Sequence, residues 1–276
     1  MKFKGKWYFN VIEKMILIIF LVWTVVPIYI IISNGFRRTL DIKTMPPELI
    51  FMPILKHFEK VLINDNFMKY FLNSAVVAIS TSIIVILLGT FTAYGILIYR
   101  SKFGEYFSIF MILGKLVPTI TILIPLYIMM NKMGLTGTYF APIIAHSAIQ
   151  LPFITWLMLS FMRGLPKELL EASRVMGCSR MKSLFLIIFP LLKPAVGSAI
   201  ILTMQYSWNE LMFALQLTNI KTYTLTVAIA KYTGALSVDW GKTSAAAAIT
   251  MVPIIIIGFF MQKYLVTGLT AGSVKG

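Results

Sequence analysis

The chain has 276 residues, of which 58% are hydrophobic and 13% are charged, and its formal net charge is +15. Because a soluble domain carries about 25% charged residues, this composition excludes an ordinary soluble domain and predicts a lipid bilayer as the solvent. The positive charges lie in short connections between apolar runs, which favours membrane headgroups over nucleic acid as their partner. The single cysteine, Cys178, excludes an internal disulfide framework.

Six apolar runs follow one another along the chain. Each is long enough to cross a hydrocarbon core about 30 Å thick as a helix. A backbone in lipid must satisfy its own hydrogen bonds, and the alternation typical of barrel strands is missing, so the predicted fold class is an all-α polytopic membrane protein. The predicted spans are roughly 14–34, 71–98, 106–130, 139–162, 194–215 and 244–266.

The first run follows Lys2, Lys4 and Lys6 in the manner of a signal peptide. We expect a retained span instead, because the run exceeds the usual hydrophobic region of a signal peptide and no small-x-small cleavage site follows it. Basic residues are more frequent in the segments that face inward when the N-terminus is cytoplasmic, which predicts both termini in the cytoplasm.

Most of the runs contain proline, which removes a backbone donor and bends a helix. Two interpretations stay open for this pattern. It is either the general tolerance of membrane helices for proline, or a set of broken helices that form a pathway with two arrangements.

The connection over residues 163–193 carries the most informative pattern. Pro166 and the acids after it suit the first turn of a helix, and Gly177 suits a left-handed stop. We expect a short amphipathic helix at the inner membrane surface, then a turn and a second helix that leads into Pro190. From amphipathicity alone, it could equally be an ordinary interfacial helix. One side would carry Lys167, Glu168, Glu171 and Arg174, and the other Leu169, Leu170, Ala172, Ser173 and Met176.

The spacing within this connection resembles the EAA loop of binding-protein-dependent ABC permeases. The family pattern has alanine and leucine where this chain has Ser173 and Phe189. WNELMFAL over 208–215 and GLTAGSVKG over 268–276 are similar to the carbohydrate branch, close to maltose-transporter-like permeases. The residues that carry the EAA resemblance are Glu171, Ala172, Ser173, Gly177, Ile187 and Pro190.

The resemblance implies the six-helix fold of a type I ABC importer permease. Residues 1–69 would form the N-terminal tail, first transmembrane helix and external loop, and 70–266 the permease core. The loop 163–193 within that core would be a coupling loop. Residues 267–276 would form a cytoplasmic tail.

The resemblance also implies partners: a second permease subunit in a heterodimer, two copies of a cytoplasmic ABC ATPase, an external solute-binding protein and membrane lipid. The coupling helix would sit in a groove of the ATPase, with Glu171 meeting a basic residue there. No cofactor is expected on this chain, since ATP and Mg²⁺ would bind the ATPase subunits. The tail would contact the ATPase through Gly268, Leu269, Thr270, Gly272 and Lys275.

A stretch from Gly234 to Thr243 looks like a phosphate-binding loop. Its glycines are separated by six residues where four are needed, and Leu236 stands where the required glycine belongs. The pattern predicts no nucleotide site. We recognise no catalytic constellation either, which predicts a transport subunit rather than an enzyme.

Several polar and aromatic residues inside the runs are candidates for a translocation path. A charge in a span is costly, so Lys115 either lines the pathway or extends its long stem to the interface. The others could contact a sugar, but they could also form an aromatic interface belt with a capping pair or pack helices together. The candidates are Lys115, His146, Gln150, Tyr206, Trp208, Asn209 and Glu210.

The leading hypothesis is a permease subunit of an ATP-driven importer of a sugar or oligosaccharide in the bacterial cytoplasmic membrane. A solute of the glycerol-phosphate type is an alternative within the same family. A secondary transporter driven by an ion gradient would need carboxylates within the membrane, and Glu210 is the nearest candidate. A polytopic membrane enzyme would need a catalytic cluster at one membrane face.

Overall fold

A computed structural model describes residues 5–44, 46, 50–99, 102–234 and 238–270, with side chains for those between 11 and 262 except residue 167. Helices dominate these residues, and an isolated antiparallel bridge joins Thr233 and Val238. The chain divides into two compact units: Met1–Phe67 with Ile229–Val252, and Met68–Ala228 with Pro253–Gly276.

The first unit contains α1 (Gly5–Phe36), α2 (Lys56–Glu59) and the beginning of α13 (Trp240–Thr270). Residues 11–30 of α1 are exposed, so lipid or another subunit would cover them. The connection after α1 is ordered by side-chain contacts. The backbone oxygen of Arg37 lies 3.0 Å from Nε2 of His57, and Lys242 donates to Asp65 over 2.8 Å.

The second unit contains the remaining helices. A π-helical turn, Leu184–Ile188, lies between α8 and α9. The helices are α3 (Phe67–Tyr99), α4 (Lys102–Gly114), α5 (Thr119–Lys132), α6 (Phe140–Arg163), α7 (Lys167–Val175), α8 (Arg180–Ser183), α9 (Phe189–Leu191), α10 (Lys193–Asn209), α11 (Met212–Leu217) and α12 (Leu225–Ala230).

Among the described residues, four of the predicted spans overlap single helices, and the third overlaps both helices of a bent pair. The fifth overlaps only the second helix of another bent pair, whose first helix lies in the predicted loop 163–193. The single helices long and apolar enough to cross a membrane are Val11–Phe36, Phe67–Tyr99, Phe140–Arg163 and Trp240–Gln262. The pair α4 and α5 is bent by 99°, and the pair Arg180–Leu191 and Lys193–Asn209 by 76°. Counting each pair as one span brings the total to six.

The third predicted span, 106–130, is wrong as a continuous helix. It is broken between Gly114 and Thr119, and Pro118 at the break has an extended ψ of 129°. Proline cannot donate to the hydrogen-bond ladder of the preceding helix and disfavours helical geometry in the residue before it. Lys115, predicted to lie inside a helix, therefore lies in the break. Proline alone does not dictate a break, since Pro125 lies inside α5.

The fifth predicted span, 194–215, is also wrong as a continuous helix. α10 ends at Asn209, and Glu210 is extended, with φ −72° and ψ 128°. α11 then begins at Met212. The break is explained by the side chain of Glu210, whose carboxylate accepts hydrogen bonds from the first turn of α11.

The core of the second unit is centred on α6. Ile154 and Met158 of this helix are fully buried in a cluster that includes Val85 of α3 and Ala199 of α10. Because another apolar cluster also includes α6, both broken spans pack against this one helix. That other cluster joins α5, α6 and α11 through Met130, Ala141, Ala145, Phe213 and Leu217.

Candidate functional site

The break in the third span brings Lys115 against α6 and α10. Its amine donates to Oε1 of Gln150 over 2.6 Å. The same nitrogen lies 5.6 Å from the ring centroid of Phe153 and 5.8 Å from that of Tyr206, within the range of a cation–π interaction. Three of the predicted path residues, Lys115, Gln150 and Tyr206, therefore meet around one amine.

A cavity of about 290 Å³ lies beside this cluster and is lined by Lys115, Thr119 and Tyr206, together with apolar residues of α5 and α6. The buried hydroxyl of Tyr206 has no hydrogen-bond partner among the described residues. The amide nitrogen of Gln150 donates to the backbone oxygen of Leu202 over 3.4 Å. The cavity is therefore bordered by an amine, the hydroxyl-bearing Thr119 and one aromatic residue, with apolar residues around them.

His146 and Glu210 form a buried pair next to the cluster. Nε2 of His146 lies 3.1 Å from Oε2 of Glu210, and Nδ1 lies 2.8 Å from Oγ of Ser207. The side chains of the pair are 0% and 7% exposed. A buried carboxylate is stable only when hydrogen-bond donors surround it, and His146 supplies one of them.

Glu210 also caps α11. Its carboxylate accepts hydrogen bonds from the backbone nitrogens of Phe213, at 2.9 Å, and Ala214, at 3.0 Å. These are among the N–H groups that a helix start leaves without an intrahelical partner. The extended backbone at Glu210 is what allows its side chain to reach them. The capping alternative therefore describes the contacts of Glu210, and a role in the translocation path stays a prediction.

Trp208 and Asn209 contact residues outside the cluster around Lys115. Trp208 is buried, and its ring meets the ring of Phe71 edge-on with centroids 5.4 Å apart. Asn209 is exposed at the end of α10 and donates to the backbone oxygen of Gln205 over 2.9 Å. The contacts of both residues are those of helix packing and helix termination.

Within the predicted coupling loop, 163–193, α7 is followed by a left-handed turn. Glu171 lies on the exposed side of this helix, and Leu170 packs against the core. Gly177 has a φ of +76°, which confirms the predicted left-handed stop. The second helix runs through α8 to α9, where Ile187 is half-buried and Pro190 is exposed.

The predicted apolar side of α7 is wrong at Ala172 and Met176, because both residues are exposed. A helix turns about 100° per residue, so only Leu169, Leu170 and Ser173 fall within the arc that faces the core. The helix therefore presents apolar as well as charged side chains outward.

Ser173 and Ser183 connect the two helices of the loop. Both are 2% exposed, and their hydroxyl oxygens lie 2.9 Å apart. Ser173 also donates to the backbone oxygen of Leu170 over 2.8 Å. Farther along, the hydroxyl of Tyr94 on α3 donates to the backbone oxygen of Arg180 over 2.7 Å.

Sequence reasoning did not identify Ser183, Tyr94, Phe153 or Ser207. Each makes its contact with a partner distant in the chain, such as Tyr94 with a residue 86 positions away. No local pattern signals such a pairing.

The lysine in the stretch that looks like a phosphate loop forms an ion pair within the protein. The amine of Lys242 is engaged with Asp65, while residues 235–237 lie outside the described residues. Metal ligation has no support either, since the described part of the chain contains no group of three or more His, Cys, Asp or Glu that could hold a metal ion.

The residues of the predicted tail contacts lie only partly within the described part of the chain. α13 runs through Gly268, Leu269 and Thr270, whose side chains are not among those described. Gly272 and Lys275 lie outside the described residues. The predicted contact of this tail with an ATPase stays a prediction.

Solved structures of other proteins share this fold. The chain is similar to a chain in the crystal structure of a bacterial ABC transporter involved in the import of the acidic polysaccharide alginate. The TM-score is 0.79 at 20% identity, covering 96% of this chain and 99% of that one. A crystal structure of a bacterial alginate ABC transporter in complex with an alginate-pentasaccharide-bound periplasmic protein gives a TM-score of 0.67 at 16% identity, covering 94% and 93%.

Three curated relatives match most of the chain. A probable ABC transporter permease protein of Sinorhizobium fredii, y4oR, is 35% identical over 244 residues, covering 88% of each chain. The melibiose/raffinose/stachyose import permease protein MelC of Bacillus subtilis is 29% identical, covering 91% of each. The trehalose/maltose transport system permease protein MalG of Thermococcus litoralis is 33% identical, covering 83% of this chain and 84% of that protein.

Residues 85–270 match the family described as binding-protein-dependent transport system inner membrane component. This region contains the predicted coupling loop and the cluster around Lys115. The chain belongs to that family, and it is a permease subunit of an ABC transporter.

Proposed function

We propose that the chain is a permease subunit of an ATP-driven importer that carries a sugar or oligosaccharide across the bacterial cytoplasmic membrane. One observation carries the proposal. The chain is similar over most of its length to MelC and MalG, whose names specify the import or transport of sugars. Similarity that extends through the spans includes the residues that would line a path, and so it supports a common class of solute.

The cluster around Lys115 supports a sugar as the solute. Tyr206 and several apolar residues form walls of the cavity, and Lys115 and Thr119 add groups that can form hydrogen bonds. Small-molecule sites combine apolar walls with a few polar groups in this way, in volumes of about 300–1,000 Å³. The cavity of about 290 Å³ is close to the lower end of that range.

We assign the driving step to separate ATPase subunits. The outward side of α7 carries Glu171 and Arg174, and the following Val175 and Met176 are 89% and 83% exposed. Exposed apolar side chains flanked by charges are typical of a protein interface. ATP and Mg²⁺ would bind the ATPase subunits, so this chain would hold no cofactor and catalyse no reaction itself.

The proposed assembly contains a second permease subunit, two copies of the ATPase, an external solute-binding protein and membrane lipid, without nucleic acid. Both termini would lie in the cytoplasm. In that orientation the coupling loop would face the ATPase, and the basic connections would face the inner headgroups.

Mass spectrometry of the solute-binding protein that purifies with the complex tests the solute class. The chain would be tagged, expressed in its own host and purified in mild detergent. We expect a mono- or oligosaccharide to dissociate from the binding protein on denaturation. An amino acid or a metal ion as the bound solute would contradict the proposal.

A second candidate is an importer of an anionic carbohydrate or a glycerol-phosphate type solute. One observation favours it: within the part of the chain that the structure describes, Lys115 donates to the neutral amide of Gln150 and belongs to neither the His146–Glu210 nor the Lys242–Asp65 ion pair. A carboxylate or phosphate on the solute would supply the missing countercharge. The same mass spectrum distinguishes the two candidates by the charge of the ligand.

A further inference from the structure

A buried pair of hydroxyl groups, those of Ser173 and Ser183, connects α7 and α8, and the EAA pattern has alanine at the position of Ser173. Ser173 and Ser183 are each 2% exposed, and their oxygens lie 2.9 Å apart. A hydroxyl has one proton to donate, and the proton of Ser173 is directed to the backbone oxygen of Leu170. Ser183 is therefore the donor in the pair.

Further hydrogen bonds make the turn between the two serines compact. Gly177 and Cys178 donate their backbone N–H groups to the backbone oxygens of Arg174 and Ser173, both at 3.0 Å. Ser179 caps α8 by accepting from the backbone nitrogen of Lys182 over 3.3 Å. The end of α7 and the start of α8 are thus joined through the backbone of the turn and, across it, through the serine pair.

The start of α8 is attached in turn to the C-terminal part of α3. Tyr94, 5% exposed, donates its hydroxyl proton to the backbone oxygen of Arg180 over 2.7 Å. The guanidinium carbon of Arg180 lies 4.8 Å from the ring centroid of Tyr99. Phe91 meets Phe185 edge-on with centroids 6.0 Å apart. These contacts give α8 a connection to α3 that does not pass through α9 and α10.

We propose that Ser173 and Ser183 are positioning residues that join α7 to α8, and that Tyr94 extends this connection to α3. A displacement of α7 then reaches α3 through α8, as well as α10 along the chain. Packed helices transmit displacement when their contacts are close enough to prevent independent movement. The inference rests on the proposed function, because α7 must be the element that the ATPase moves.

The measurement is the number of solute molecules transported for each ATP hydrolysed, in proteoliposomes that contain the whole complex and its binding protein. Ser173→Ala removes the hydroxyl acceptor with little change in volume. Ser160→Ala is the matched control, because Ser160 is exposed and donates only to the backbone oxygen of Trp156 in its own helix. We expect Ser173→Ala to lower the ratio at least about threefold and Ser160→Ala to leave it unchanged, with equal ATPase copurifying.

Two further variants separate positioning from general stability. Tyr94→Phe lowers the ratio for the same reason, and the double variant with Ser173→Ala falls little below either single variant, since both interrupt one connection. In a Cys178→Ser background, a disulfide between Ser173→Cys and Ser183→Cys restores the ratio of the unmodified complex, and reduction lowers it again. This reversal would not follow from a purely structural role.

Each of these results either supports or overturns the proposed connection from α7 through α8 to α3. An unchanged ratio in Ser173→Ala, or a disulfide that abolishes transport, overturns it, because α7 and α8 would then move independently. A wild-type complex that hydrolyses no ATP or transports no carbohydrate overturns the proposed function and this inference together. The wild-type and Ser160→Ala complexes therefore distinguish the two failures.

Discussion

Lys115 donates a hydrogen bond of 2.6 Å to the side-chain oxygen of Gln150, and this bond joins the break in the third span to α6. A lysine at the centre of a membrane helix costs about 2.5–3.5 kcal/mol on insertion scales. The break lowers that cost, because it brings the amine to a neutral amide and two aromatic rings beside a cavity. In the proposed translocation path, a solute in the cavity would compete with Gln150 for the amine.

The first prediction concerns this amine. Lys115→Met keeps the length of the side chain and removes its charge. Hydrogen bonds to charged groups contribute about 1.5–3 kcal/mol, so we expect the initial rate of uptake to fall at least about tenfold at normal membrane abundance. Lys132→Met at the exposed end of α5 serves as the control and retains uptake. Normal uptake by Lys115→Met would contradict the prediction that Lys115 lies in the translocation path.

Glu210 supports the second prediction, which concerns stability. Glu210→Ala removes the acceptor for two backbone N–H groups of α11 and leaves His146 without its carboxylate. Breaking a buried pair in this way costs about 3–5 kcal/mol. We expect a lower midpoint of thermal unfolding for the purified complex. Exposed Glu105 provides the control, and an unchanged midpoint in Glu210→Ala would show that the cap is dispensable.

Two glycines of α13 give the third prediction. A Cβ on Gly241 would collide with the ring of His57, whereas a Cβ on Gly258 would meet no atom within 4 Å among the described residues outside its own helix backbone. The imidazole is buried and cannot move without disturbing its neighbours. Alanine in place of glycine otherwise favours a helix by about 0.5–1 kcal/mol. We expect Gly241→Ala to reduce the amount of protein in the membrane and Gly258→Ala to maintain it, measured by immunoblot. Equal amounts would contradict the contact.

Gly177 gives the fourth prediction. Among the described residues other than its chain neighbours, no atom lies within 4 Å of a Cβ built on Gly177. A substitution there therefore acts through its φ of +76° and not through crowding. Valine rarely adopts positive φ, while asparagine does so more readily. Gly177→Val should abolish transport-coupled ATP hydrolysis, and Gly177→Asn should retain most of it. If both variants behave alike in an ATPase assay with the binding protein present, the left-handed turn is not required.

The turn at Gly177 also illustrates what the sequence could predict. Positive φ at a helix end is a local requirement, and glycine satisfies it without help from the rest of the chain. The apolar runs are equally local, because each span must bury itself in lipid. These features follow from the composition of short segments, and the structure agrees with them.

The breaks in the spans depend on distant residues and were not predicted. Pro118 indicates where a helix could end, but Pro125 inside α5 shows that proline alone does not decide it. Glu210 gives no local signal of a break, because its carboxylate is held partly by His146, 64 positions earlier. The amphipathic pattern also predicted that Ala172 lies on the buried side of α7. That prediction is wrong because the neighbouring elements cover only part of this helix.

The fifth prediction tests how the chain is driven. Glu171 is exposed on α7, so Glu171→Lys should leave folding and insertion intact. Reversing the charge should prevent a basic residue of the ATPase from pairing with it. We expect uptake and coupled ATP hydrolysis to be lost at normal membrane abundance. Normal uptake in this variant would contradict the role of α7 in coupling.

The central claim is that this chain forms part of an importer of carbohydrate that is powered by ATP. It is tested most directly by the accumulation of labelled sugar in proteoliposomes that contain the complex and its binding protein. We predict accumulation that requires ATP on the side of the ATPase and persists when ionophores dissipate the proton and sodium gradients. Accumulation without ATP that ceases on addition of an ionophore would contradict the account and identify a secondary transporter.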